Sequence, residues 1–77
     1  MVSVELDILE NKAVELIRTI LAKGSITSLN ARVDPTDKEL AYVNGTFEDG
    51  EGRLSKFEVK FHIQQERAQV VSWYVSG

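Results

Sequence analysis

Two periodicities divide the chain. From Leu9 the apolar residues Leu9, Ala13, Leu16, Ile17, Ile20 and Leu21 recur at spacings of three and four, which places them on one stripe of a helix. Glu10, Asn11, Lys12, Glu15, Arg18 and Thr19 fall on the opposite side. The pattern predicts a helix over residues 8–23. Asp7 and Glu10 are spaced as a capping box, while Lys23 and Gly24 suit a last turn and a stop through the helix dipole and a left-handed cap.

After Gly24 the period drops to two. In "SLNARV" Leu29, Ala31 and Val33 share one face and Ser28, Asn30 and Arg32 the other, as in a half-buried strand. "DPTDKE" is a turn, since Pro35 presets its backbone angle and the Asp34 side chain can hydrogen-bond the chain that follows. "LAYVNGTFE" extends to Glu48, and "DGEG" breaks it. In "KFEVKFHI" Phe57, Val59, Phe61 and Ile63 alternate with Lys56, Glu58, Lys60 and His62. A loop near "QQER" leads to "QVVSWYV", with Val71, Trp73 and Val75 in phase.

Asn44-Gly45 is the one local conflict, because that dipeptide also favours a two-residue hairpin. A turn there leaves only Thr46 to Glu48 before the next breaker, so a continuous strand is preferred, with Gly45 on the inward face at a bulge or a close approach of the helix. The expected fold is α+β: one N-terminal helix packed on a four-stranded antiparallel β-meander (α-β-β-β-β), with residues 1–77 as a single domain. Alternation in "VSVELDI" also admits an extra strand over residues 2–6.

Composition narrows the class. A chain of 77 residues with 43% hydrophobic and 27% charged positions is an ordinary globular sequence with a thin core. With no cysteine, neither a disulfide nor a thiolate metal site reinforces that core; packing or a partner subunit must. The start "MVSVELDILE" lacks the basic region of a secretory signal, and charges interrupt every apolar run short of the roughly 20 residues of a spanning helix. A cytoplasmic location without membrane contact is expected, and "Asn44-Gly45-Thr46" is read as an accidental glycosylation match. A net charge of −3 argues against general affinity for nucleic acid.

The candidate chemistry is sparse. His62, the only histidine, has no second imidazole or thiolate for a metal site, and as a base it lacks an orienting neighbour; it is read as a solvated strand residue. "FEDGEGR" lacks the ordered carboxylates of an EF-hand loop, and the acidic turn of Asp34, Asp37 and Glu39 belongs at the opposite end of the meander. No nucleophile-base spacing and no phosphate-binding glycine loop is present. The reading is of a non-enzyme with no cofactor, no metal and no small-molecule substrate.

The outer sheet face is more informative. Keeping apolar residues inward pairs Arg32 with Tyr42, Tyr42 with Lys60 and Lys60 with Ser72, followed by the row Asn30, Asn44, Glu58, Tyr74. One helix covers one side of a sheet, so the other side is solvated or used by a partner. Arg32, Tyr42, Lys56, Lys60 and Tyr74 are the candidate binding residues, with Val70 on the same face. The functional expectation is a protein-protein interaction module, a homodimer or an accessory subunit of a larger complex. The alternative is single-stranded RNA stacked on Tyr42 and Tyr74 with phosphates near Arg32, Lys56 and Lys60. Trp73 is expected to be buried against Ala13, Leu16 and Ile20.

Overall fold

The computed structural model describes residues 6–21, 23–65 and 67–77. Helix α1 (Leu6–Ile20) precedes strands β1 (Ser25–Val33), β2 (Leu40–Glu48), β3 (Leu54–Gln64) and β4 (Arg67–Ser76). The strands form one antiparallel sheet in the order β1-β2-β3-β4. The expected α-β-β-β-β meander is therefore the observed fold. The alternative strand over residues 2–6 falls outside the described residues except at Leu6, which is helical.

Helix α1 buries Leu9, Ala13 and Ile17 completely, the centre of the predicted stripe. Both of its ends differ from expectation. Asp7 is itself a helical residue, so it sits near the positive end of the dipole rather than capping with Glu10. At the other end the helix stops at Ile20, with the Leu21 amide still donating to the Ile17 carbonyl at 2.7 Å. The missing turn goes to the sheet, because β1 begins at Ser25, and Ser25 and Ile26 pair with Glu48 and Phe47. Gly24 is thus a contact point and not a helix cap. Its φ is +122°, and a Cβ there would collide with the Glu48 carbonyl and lie 2.8 Å from the Phe47 ring.

Asn44-Gly45 lies inside a continuous β2. The irregularity is in β1, between Ile26 and Ser28. Thr27 and Ser28 both reach Thr46, their hydroxyls 2.6 and 2.8 Å from its Oγ1. Gly45 is needed because the Ser28 carbonyl crosses where its Cβ would stand, with the Phe57 ring 2.9 Å away on the other side. The neighbour that demands glycine is a strand backbone, not the helix.

The core joins Leu9, Ala13 and Ile17 to Ala41, Val43, Phe47, Phe57, Val59 and Phe61. Removing each large side chain of this kind from water contributes about 1.5–3 kcal/mol, so the three phenylalanines dominate. The helix packs on β1, β2 and β3. Its link to the sheet runs only from Ile20 to Ser25, which ties it to the β1 side. A helix about 10–12 Å across spans two or three strands spaced roughly 4.8 Å apart.

Trp73 therefore departs from expectation. It pairs with Val59 as the register requires, on the helix-facing side, yet it remains 47% exposed because the helix does not extend over β4. A second correction concerns Val70. The β3-β4 register shifts between Lys60 and Phe61, so Lys60 pairs with Ser72 but Phe61 with Val70. Val71 is the extra residue. Val70 thus shares a face with Phe61, inward rather than outward.

Candidate interaction surfaces

The outer face is assembled by register. Arg32, Tyr42, Lys60 and Ser72 form one row and Asn30, Asn44, Glu58 and Tyr74 the next, as the sequence predicts. The Arg32 guanidinium carbon lies 4.7 Å from the centre of the Tyr42 ring, a cation-π distance. An Arg32 guanidinium nitrogen is 3.7 Å from Glu58 Oε2. The Tyr42 hydroxyl donates to Asp34 Oδ2 at 2.8 Å. Two of the five candidate residues are thus turned toward internal partners on the strand face and the β1-β2 turn.

Asp34 organises that turn. Its Oδ1 accepts from the Thr36 hydroxyl and amide at 2.7 and 2.8 Å, and from the Asp37 amide at 3.1 Å. These bonds, the Thr36 hydroxyl foremost, together with the Tyr42 hydroxyl hold the Asp34 carboxyl down at about 2. The same Asp34 hydrogen bond raises the Tyr42 phenol above its ordinary value. At the far end of β2, Asp49 Oδ1 accepts the Arg53 and Glu51 amides at 2.9 and 2.8 Å, which lowers its carboxyl. Both acidic loops are self-contained hydrogen-bonded turns at opposite ends of β2.

Lys56, Glu58 and Tyr74 line a shallow trough of about 310 Å³ with Ser28, Asn30, Asn44 and Thr46. At the other end His62, Gln64, Arg67 and Gln69 border a second open hollow. The His62 Nε2 there is 3.4 Å from Glu39 Oε1, with the Glu39 side chain largely in solvent and that of His62 half-buried. Among the described residues no three His, Asp or Glu side chains converge as metal ligands do, and no helix is long and apolar enough to cross a membrane.

The helix-facing side of β4 is a surface of another kind. Ala68 and Val75 pack against the core, but between them Val70, Val71 and Trp73 are 41, 54 and 47% exposed. Tyr74 on the opposite face is 56% exposed. Among the described residues β4 is also an edge strand, paired only with β3. The residues missed by a search for exposed chemistry are thus apolar ones, Val71 and Trp73 assigned to the core and Val70 to the opposite face. The signal for them is the doublet Val70-Val71 between Gln69 and Ser72, which breaks strict alternation where the bulge occurs.

Comparison with protein-family models, with curated proteins and with solved structures finds no match.

Proposed function

We propose that the protein is a cytoplasmic, non-catalytic protein-interaction module whose contact surface is the uncovered helix-facing side of β4. The observation that supports this reading is the half-exposed Trp73 beside Val70 and Val71, on an edge strand that the helix leaves open. Tryptophan in a partly sheltered apolar setting is the side chain that most often dominates binding energy. Apolar patches of this kind, at the border of an otherwise charged surface, mark interaction sites. The outer face supports the reading indirectly. Arg32 and Tyr42 direct their charge, ring face and hydroxyl at each other, Glu58 and Asp34, which makes them poor acceptors of phosphate and stacked bases.

The test is to compare the wild-type chain with Trp73→Ser and Val70→Ser in self-association and in retention of bound proteins from native extract. Both variants are expected to fold and to lose the association. A wild type that neither self-associates nor retains any protein overturns the proposal.

A further inference from the structure

Resting on that reading of β4, we infer that its occupant is a second copy of this chain, joined β4 to β4 in antiparallel fashion to give a continuous eight-stranded sheet. An open strand edge selects another strand, because its unpaired amides and carbonyls repeat at strand spacing. A two-fold axis perpendicular to the sheet keeps the two helices on the same side. The uncovered strips of the two copies then meet between the helices.

The bulge makes this pairing possible over the whole strand. In a regular ten-residue strand, setting residue 67 against residue 76 opposes residues of unlike face all along the ladder, since each pair sums to an odd number. The extra residue at Val71 switches the phase of β4 halfway, so Ala68 and Val70 face the helix side together with Trp73 and Val75. Full overlap then sets Val70 against Trp73 of the second copy and Ala68 against its Val75. On the outer face Gln69 meets Tyr74 of the second copy, and Arg67 meets its Ser76. The two bulges lie at the axis.

Charge and area agree with this occupant. Arg67 is the only charged residue of β4, and in this register the two copies of Arg67 stand at opposite ends of the ladder, so no like charges oppose. Trp73 and Tyr74 are about half exposed, with Val70 and Val71. At roughly 150–250 Å² per aromatic side chain, this gives on the order of 300–400 Å² per copy. That is about half of the roughly 800 Å² that each partner buries in a standard interface, with the ten-residue main-chain edge still to add. Association in the micromolar range is expected.

The register fixes a cross-linking test. The natural chain has no cysteine, so Q69C and Y74C each supply one thiol on the exposed outer face. Opposed residues in an antiparallel ladder have Cα atoms about 4.5–5.5 Å apart, within disulfide reach. Q69C and Q69C of the second copy lie five residues apart along the strand, roughly 17 Å. Mixed Q69C and Y74C chains should oxidise to a mixed disulfide at least tenfold faster than either alone, and sedimentation of the wild type should show a dimer forming as concentration rises. If the wild type dimerises but the mixture has no such advantage, the second copy sits elsewhere; the β4 register fails while the interaction reading stands. If the wild type stays monomeric to several hundred micromolar, the second copy is excluded, and retention of another protein through Trp73 decides the broader reading separately.

Discussion

The Tyr42 hydroxyl closes on Asp34 across the β1-β2 turn, 2.8 Å from Oδ2, and ties the middle of the sheet face to the loop beside it. Asp34 is held at about 2 when folded, against an ordinary 3.8. The sign follows directly: a depressed folded value means stability that is present above the ordinary carboxylate value and lost as pH falls from about 4 toward 2. Asp34→Asn should flatten the acid limb of a stability-pH curve measured by urea unfolding between pH 2 and 6. In the same variant the Tyr42 absorbance transition should move to lower pH, because the hydrogen bond that raises it is weakened.

Half exposure of Trp73 sets its energetic weight. Trp73→Ala should cost the isolated monomer about 1–2 kcal/mol, well below the about 3–5 kcal/mol expected for truncating the fully buried Phe57. Tyr74→Ala, with its side chain in solvent, should stay within about 0.5 kcal/mol of wild type. Chemical denaturation at low protein concentration separates the three.

Gly45→Ala forces a methyl group against the Ser28 carbonyl and the Phe57 ring. Overpacking of this kind costs about 1–3 kcal/mol. Amide exchange should show the loss concentrated in β1, since the Ser28 carbonyl belongs to the strand that must move. Uniform loss across the sheet would contradict this origin.

The β3-β4 hairpin carries a mark of strain: Gln65 has φ +51°, a left-handed conformation that costs a residue with a Cβ about 1–2 kcal/mol. Gln65→Gly relieves this but loosens the unfolded chain, so a net gain of about 0.5–1 kcal/mol in thermal or urea unfolding is expected.

The alternation of Phe57, Val59 and Phe61 with Lys56, Glu58 and Lys60 is enough to place residues 56–63 of β3, and Tyr42, Asn44 and Gly45 of β2, on the correct face, along with the outer rows that cross them. With side chains of period two, a one-residue slip would turn the whole apolar set to solvent, so every odd shift of register is excluded. The rest depended on quantities that alternation does not carry. Which strands a helix covers follows from the length of its link to β1 and its width, so Trp73, in phase with Val59 and apolar, reads the same whether covered or not. A bulge made by two valines has no glycine to announce it, and it moved Val70 across the sheet. The candidate outer residues were placed correctly, but the ring-over-guanidinium contact of Arg32 and Tyr42 depends on rotamers that spacing does not determine.

The bulge in β1 between Ile26 and Ser28 has a consequence for growth. A sheet with two straight edges can add copies at both, head to tail, and lengthen into a fibre. Here the β1 edge is kinked, with Thr27 and Ser28 both turned to Thr46, so it offers a poor template for another strand. Any assembly through β4 therefore terminates after a single addition: the central bulge of β4 is matched by that of its copy at the axis, whereas the bulge of β1 lies near one end and finds no match in a second β1. Deleting Thr27 would straighten β1 and remove that stop, and the protein should then polymerise with concentration, gaining thioflavin fluorescence that the parent chain lacks.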